Sequence, residues 1–105
     1  MQRKLKLTGR AKENLRELER DIQKKGILNQ VRKALALLES NLRHPGLHIH
    51  RYEELSQRYG VDVFEAYVQN QTPGAYRVFW AYGPDEIDGK RRVPVITIVD
   101  ITPHP

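Results

Sequence analysis

The sequence predicts a single α+β domain in which a short N-terminal strand and a helical hairpin pack on an antiparallel β-meander. Two apolar stripes with helical spacing occupy the first half of the chain, and three β-rich blocks occupy the second half. The length of 105 residues suits one domain with one modest core. Because a helical hairpin with apolar stripes must cover a sheet, we expect the helices on one face of the meander and function on the other.

The first elements are a short strand and a helix. Residues 3–7 alternate polar and apolar side chains, as a strand with one buried face does. Thr8 is a suitable N-cap for the helix that follows. The apolar stripe of this helix comprises Ala11, Leu15, Leu18 and Ile22. Gly26 follows two lysines and is predicted to end the helix in a left-handed conformation.

The remaining elements are a second helix and three strands. The apolar stripe of the second helix comprises Leu28, Val31, Leu35, Leu38 and Leu42. His44 precedes Pro45 and should end it, because the residue before proline avoids helical geometry. Residues 47–60 have no clear period and are expected to be irregular or partly extended. The β-rich blocks are residues 61–68, 75–82 and 93–101, and their short connections predict a meander.

The composition limits the possible functional classes. The chain has 18 Lys and Arg against 13 Asp and Glu, and the formal charge of +5 favours polyanionic partners. Without cysteine it has no disulfide, thiolate nucleophile or cysteine-containing zinc site. No apolar run approaches the roughly 18 residues of a membrane span, and the N-terminus lacks the apolar stretch of a signal peptide. We therefore expect a cytoplasmic protein without membrane contact.

Glu65 and Arg77 are predicted to lie on the face of the meander opposite the helices, because burying an unpaired charge is costly. A connecting loop centred on Gln71 would place these two side chains directly opposite each other. They are then either a cross-strand ion pair that holds the register or a catalytic pair. In a catalytic pair, Arg77 would hold a phosphate and Glu65 would orient or deprotonate a hydroxyl. Spacing alone leaves both interpretations open.

Four local segments resemble a branch of the RelE/ParE toxin superfamily. These are residues 44–47 (HPGL), 64–67 (FEAY), 72–80 (TPGAYRVFW) and 98–105 (IVDITPHP). The resemblance implies a RelE/ParE-like fold with a strand, two helices and a three-strand meander in that order. It also implies the toxin of a type II toxin–antitoxin module, neutralised by a cognate antitoxin that covers the basic surface.

The resemblance implies an activity that differs between branches of the superfamily. RelE-like members cut mRNA, usually in the ribosome, whereas ParE-like members inhibit DNA gyrase. A RelE-like chain would be a metal-independent endoribonuclease that acts on mRNA at the ribosome, inhibits translation and needs no cofactor. The alternatives are a non-catalytic ParE-like inhibitor that binds gyrase, and a degenerate member that only binds antitoxin or RNA.

The resemblance also implies catalytic residues. Tyr76-Arg77-Val78 matches the pattern in which an arginine of the central strand stabilises the scissile phosphate. His104 lies where several members place a general acid, and histidine, with an ordinary pKa near ~6.5, exchanges protons at neutral pH. RNA cleavage without a metal needs a base, a cation and an acid. Glu65, Arg77 and His104 would supply them in that order.

A first group of RNA contacts is expected just after the second helix. Its members are His48, His50, Arg51 and Tyr52. Tyr52 can stack on a base of single-stranded RNA, or it can anchor the loop. The histidines can contact RNA or pack within the loop, and together with His44 they allow a metal site as a third interpretation.

A second group of RNA contacts is expected before the last strand. Its members are Lys90, Arg91 and Arg92. They can contact phosphates or attract an acidic partner. The alternative is a solvated turn, because three nearby acidic residues cancel much of the positive field.

Overall fold

The computed structural model describes residues 3–69 and 74–104, which form three helices, a mixed five-stranded sheet and a two-stranded sheet in an α+β arrangement. The helices are α1 (Gly9–Arg20), α2 (Lys25–Ser40) and α3 (Glu53–Tyr59). The strands are β1 (Lys4–Leu7), β2 (His50–Arg51), β3 (Phe64–Tyr67), β4 (Tyr76–Tyr82), β5 (Glu86–Asp88), β6 (Arg91–Val93) and β7 (Val95–Pro103). No helix in the two described ranges is long and apolar enough to cross a membrane.

The main sheet has the strand order β1, β7, β4, β3, β2. β4 pairs antiparallel with both β3 and β7, which confirms the predicted meander. β2 extends the sheet beyond β3 and is also antiparallel. β1 pairs parallel with β7 at the other edge. The chain therefore adds one strand to each side of the meander, and only the N-terminal one makes the sheet mixed.

Helices α1 and α2 pack on one face of this sheet, as their apolar stripes predict. The buried core that they form with the sheet includes Ala11, Leu18, Leu28, Val31, Ala34, Leu38, Val78, Trp80, Ile96, Ile98 and Ile101. Thr8 is the N-cap of α1, and its hydroxyl oxygen accepts a hydrogen bond of 3.1 Å from the N–H of Ala11. The same hydroxyl donates to the carbonyl of Val99 at 3.2 Å, so the cap also fixes the start of α1 to β7.

The turn between α1 and α2 differs from the prediction in two respects. α1 ends at Arg20, and the carboxylate of Asp21 accepts from the N–H of Gln23 at 3.0 Å to start a short 3-10 turn. Aspartate competes in this way with helical hydrogen bonding, which ends the helix earlier than the apolar period suggests. Ile22 is consequently 87% exposed and lies outside the stripe. Gly26 lies in the first turn of α2 and does not end α1.

Residues 47–60, expected to be irregular or partly extended, contain the short strand β2 and also the helix α3, which was not predicted. α3 lies on the sheet face opposite α1 and α2, where Leu55 packs with Val63, Phe79 and Val99 in a second small core. Leu55 is the only apolar residue of α3 that is buried. A helix with one buried apolar residue has no apolar period, so its sequence cannot predict it.

The segment between β4 and β7, expected as a loop, contains the hairpin of β5 and β6. Glu86 of this hairpin forms ion pairs with Lys4 and Lys6 of β1, the former at 2.9 Å. The hydrogen bond from Lys6, followed by that from Lys4, lowers the pKa of Glu86 below its ordinary value. The hairpin is thus tied to the edge strand β1.

Candidate active site

Glu65 lies opposite Phe79 in the sheet, and Arg77 lies opposite Tyr67. The predicted opposition of Glu65 and Arg77 was therefore wrong by two residues, and the carboxylate of Glu65 pairs with other side chains. A shift of two residues leaves every side chain on its original face, so the alternation of the strands cannot distinguish the two registers. The two charged residues do share one face, as predicted.

Glu65 is the centre of a cluster with two histidines, named here the Glu65 cluster (Glu65, His50 and His104). Its side chain is only 2% exposed. Nε2 of His50 lies 2.7 Å from Oε1, and Nδ1 of His104 lies 2.6 Å from Oε2. The side chains of His50 and His104 are 49% and 43% exposed. One buried carboxylate thus holds two imidazoles that reach solvent.

Two backbone features bring the histidines to Glu65. The pairing of β2 with β3 places His50 directly opposite Glu65. His104 follows β7, and its N–H donates to the carbonyl of Ala75 at 2.8 Å, which holds this end of the chain beside β4. The cluster is therefore assembled from three separate segments.

The two imidazoles differ in their hydrogen bonds. Nδ1 of His50 lies 2.9 Å from the carbonyl oxygen of His48, so both ring nitrogens of His50 face acceptors. A neutral imidazole has a single N–H and can donate to only one of these two acceptors, whereas an imidazolium can donate to both. His104 needs a proton on Nδ1 alone for its contact with Glu65. Within the described residues its Nε2 has no hydrogen-bond partner.

Arg77 lies beneath the open face rather than exposed upon it. The residue is 4% exposed, and Nη1 donates to the carbonyls of Gln69 and Tyr76, each at 3.0 Å. The guanidinium carbon lies 3.7 Å from the centroid of the Tyr67 ring, which is a close cation–π contact. Arg77 therefore provides a fixed positive charge whose donors are partly used by the backbone.

Tyr52 links the Glu65 cluster to α3. Its ring centroid lies 5.0 Å from that of Phe79 and 6.1 Å from that of His104. The hydroxyl donates to the carboxylate of Glu54 at 3.2 Å. Burial, followed by this hydrogen bond, raises the pKa of Tyr52 above its ordinary value. The phenol is thus held as a neutral donor next to the cluster.

The two other members of the first predicted RNA-binding group have different surroundings. The ring of His48 packs against that of Tyr67, with centroids 4.8 Å apart. Arg51 pairs with Asp62 at 2.8 Å and with Glu53. Hydrogen bonds to Asp62 and then Glu53 raise the pKa of Arg51 above its ordinary value. His48 therefore lies beside the Glu65 cluster, whereas the guanidinium of Arg51 is paired with two carboxylates.

The second predicted RNA-binding group is remote from the cluster. Lys90, Arg91 and Arg92 are exposed at the turn and second strand of the β5–β6 hairpin. This hairpin precedes β7, whereas His104 follows it. β7 has nine residues, so its two ends are roughly 26 Å apart.

Asp100 is a residue of this face that the sequence prediction missed. A β-bulge places Phe79 opposite Asp100 and Trp80 opposite Ile98, which leaves Val99 as the extra residue. Val99 and Asp100 then both lie on the side of the Glu65 cluster, whereas plain alternation would direct Asp100 towards α1 and α2 along with Ile98. A lone carboxylate within an apolar strand was the available signal.

The Glu65 cluster has the composition of a proton-transfer site, because imidazoles both accept and release protons near neutral pH. In residues 3–69 and 74–104, no group of three or more His, Asp or Glu side chains is arranged to hold a metal ion.

Comparison of the chain with models of protein families, with curated proteins and with solved structures finds no significant match in any of the three.

Proposed function

We propose that this chain is a metal-independent endoribonuclease that cleaves mRNA, as a RelE/ParE-type toxin of a type II toxin–antitoxin module. The observation that carries the proposal is the Glu65 cluster, in which one buried carboxylate orients two half-exposed imidazoles. Cleavage of RNA by its own 2′-hydroxyl requires one proton to be removed and another to be delivered. Two imidazoles held by the same carboxylate can perform these two transfers.

The hydrogen bonds divide the two transfers between the rings. We assign His104 the role of base: in the tautomer that donates from Nδ1 to Glu65, Nε2 carries the lone pair that takes the 2′-hydroxyl proton. We assign His50 the role of acid: in its imidazolium form the N–H on Nδ1 faces only the exposed carbonyl of His48, and it can leave that carbonyl to protonate the departing 5′-oxygen. The 2′-oxygen bonds to phosphorus as the bond to the 5′-oxygen breaks. The products are a 2′,3′-cyclic phosphate and a 5′-hydroxyl.

This division differs from the roles that the resemblance implies, in which Glu65 is the base and His104 the acid. Glu65 is buried, and both of its oxygens are occupied by imidazoles, so a substrate hydroxyl cannot reach it. We therefore assign Glu65 the task of fixing the orientation of the two rings. An anion in this position also stabilises each ring when it is protonated.

Positive charge around the cluster favours the phosphate. The formal charge of +5 attracts a polyanion over long range. The ring of His50 is half-exposed, so it can contact the phosphate directly when it is protonated. Arg77, fixed beneath Tyr67, acts through its field, because a charge held in position costs no reorganisation when the transition state forms.

The order of the elements supports the toxin type. β1, the α1–α2 hairpin and the β3–β4–β7 meander follow one another in the order that the resemblance implies. α3 and the β5–β6 hairpin are additions to that order. A cytoplasmic location beside the ribosome, and a cognate antitoxin that covers the basic surface with an acidic segment, belong to the same proposal.

Cleavage of mRNA tests the proposal directly. Purified wild-type protein and the variants His50→Gln and His104→Gln are incubated with free mRNA in the presence of EDTA, and with mRNA on programmed ribosomes in the Mg²⁺ buffer that keeps the ribosomes assembled. We expect the wild type to cleave and each variant to be at least about 100-fold slower, the usual loss for an acid or base group. His44→Gln is the matched control, because its imidazole binds the N–H of Gly46 outside the cluster. Intact RNA in all wild-type reactions would contradict the proposal and favour a gyrase inhibitor.

A substrate with sulfur in place of the 5′-bridging oxygen distinguishes the two roles. A thiolate leaves without being protonated, so the acid is no longer needed. His50→Gln should regain most of its lost rate on this substrate, and His104→Gln should not. Recovery of the His104 variant alone would reverse the two assignments.

A further inference from the structure

A cavity of about 190 Å³ opens beside the Glu65 cluster, between the start of α1, α3 and the end of β7. Tyr52 and Phe79 supply aromatic wall, Asp100 lies on the strand side, and Arg10 and Arg58 are partly exposed arginines of the lining. Pockets that enclose whole drug-sized ligands measure roughly 300–1,000 Å³. The cavity therefore suits a single heterocyclic ring system.

Asp100 is the lining residue whose buried carboxylate is not satisfied by hydrogen bonds within the described part of the folded chain. The residue is 8% exposed, and its Oδ1 is buried without a hydrogen-bond partner among the described residues. Oδ2 has one loose contact, 3.4 Å from Nε of Arg10. A buried acceptor without a donor costs free energy, and a ligand that brings a donor removes that cost.

We infer that this cavity binds a guanine base of the RNA, an inference that rests on the proposed ribonuclease function. An ionised carboxylate can only accept hydrogen bonds. The Watson–Crick edge of guanine has two adjacent donors, N1–H and N2–H, which match the two oxygens of one carboxylate. Adenine and cytosine place an acceptor nitrogen beside their amino group, and uracil has one N–H between two carbonyls. Each of these bases would bring an acceptor against Asp100.

The arginines and the aromatic wall complete a nucleotide site. The side chain of Arg10 is 63% exposed, so it can leave Oδ2 when a base arrives. Arg10 can then bind a phosphate of the nucleotide, whereas Arg58 is paired at 3.7 Å with the carboxylate of Glu54 in the same lining. The ring of Tyr52 offers a stacking surface for the base.

The cavity and the Glu65 cluster are contiguous. Tyr52 forms part of the cavity wall, and its ring also contacts that of His104. Pro103 lines the cavity, and His104 is the next residue of the chain. A base bound by Asp100 would therefore belong to a nucleotide next to the scissile phosphate, which lies at His104. The site would give the cleavage a preference for guanosine at that position.

Binding of mononucleotides tests the inference without any cleavage. The full chain is titrated with guanosine, adenosine, cytidine and uridine 5′-monophosphates, and chemical-shift changes are followed by NMR. We expect guanosine monophosphate to bind at least about tenfold more tightly than the other three, as hydrogen bonds to a charged group allow. Inosine monophosphate lacks the N2 amino group, so its affinity for the wild type should be lower than that of guanosine monophosphate by at least about fivefold. This comparison needs no variant, so it does not depend on how a substitution at Asp100 folds.

Variants separate base recognition from catalysis. Asp100→Asn should lose the preference for guanosine, whereas Asp88→Asn removes the same charge from an exposed residue of β5 and should keep it. His104→Gln should stop cleavage and retain the preference, so a failure of the ribonuclease proposal is distinguishable from a failure of this one. Equal affinity of the wild type for all four nucleotides, or an unchanged preference in a folded Asp100→Asn variant, would overturn the inference.

Discussion

Glu65 and His104 are 39 residues apart in the sequence, yet Oε2 of the one lies 2.6 Å from Nδ1 of the other. Glu65 belongs to β3 and His104 follows β7, and β4 lies between these two strands in the sheet. The contact therefore spans the whole meander. Any slip of these strands would separate the pair and leave a buried carboxylate with one partner fewer.

The two histidines should be energetically coupled through Glu65. His50→Ala and His104→Ala each leave the carboxylate one partner and should each lower the free energy of unfolding by about 1–2 kcal/mol. The double variant leaves it none among the described residues, and we expect a further loss of about 1–3 kcal/mol beyond the sum. Urea unfolding of the four proteins measures this coupling.

A third substitution checks the origin of that coupling. Adding Glu65→Gln to the double variant should restore most of the excess loss, because a neutral amide costs less to bury than an unpaired carboxylate. Strictly additive effects of the two histidine substitutions would show that the carboxylate does not need them.

Arg77→Lys should be destabilising although it conserves the charge. The planar guanidinium packs on Tyr67 while Nη1 donates to two backbone carbonyls, and an ammonium group cannot reproduce both contacts. We expect a loss of about 1–3 kcal/mol in the free energy of unfolding. Arg92→Lys, at an exposed position of β6, should change it by less than about 0.5 kcal/mol. Similar urea midpoints for both variants would rule out the packed role of Arg77.

The helical scaffold could be predicted because its signals are local. Leu28, Val31 and Leu38 recur with the helical period and are buried in α2. Thr8 caps α1 within its first turn. Capping and the period of 3.6 residues depend on neighbours a few positions away, so they are visible in the sequence itself.

The candidate site was predicted only in part, because its geometry is not local. Glu65 and His104 were expected at the site and are in contact, whereas His50 was expected only as an RNA contact and is the second imidazole of the cluster. Its place depends on β2, a strand of two residues that has no period of its own. Asp100 depends on a bulge, and a bulge reverses the alternation from which faces are read.

Ser56→Ala should be unusually costly for a serine substitution. The buried hydroxyl oxygen accepts from the N–H of Val63 at 2.8 Å and the hydroxyl donates to the carbonyl of Tyr52 at 2.7 Å, which ties α3 to the start of β3. Alanine leaves the buried N–H without a partner, and we expect a loss of about 1–3 kcal/mol in the free energy of unfolding.

Ser40→Ala is the matched control for this substitution. Its hydroxyl is exposed and donates to the carbonyl of Ala36 within α2, so thermal or urea unfolding should change by no more than about 0.5 kcal/mol. If the two alanine variants had the same stability, the hydroxyl of Ser56 would not be holding α3 on the sheet.

Tyr52 should make the folded protein sensitive to alkaline pH. Burial and then the hydrogen bond to Glu54 raise the pKa of the phenol above its ordinary value of about 10, so the folded state keeps a proton that the unfolded chain releases. This contribution to stability is complete below about pH 10 and is lost as the pH rises through the raised pKa.

Comparison with Tyr52→Phe isolates this contribution, because phenylalanine has no proton to release. Urea unfolding at about pH 8 and about pH 10.5 should show a larger loss of unfolding free energy for the wild type than for Tyr52→Phe, since the raised pKa acts in that interval. Glu54→Gln removes the carboxylate that helps to raise the pKa of Tyr52. The loss of unfolding free energy in this variant should therefore lie between those of the wild type and Tyr52→Phe. The remaining tyrosines contribute equally to all three proteins. Equal losses in wild type and Tyr52→Phe would mean that the phenol beside His104 titrates as it does in water.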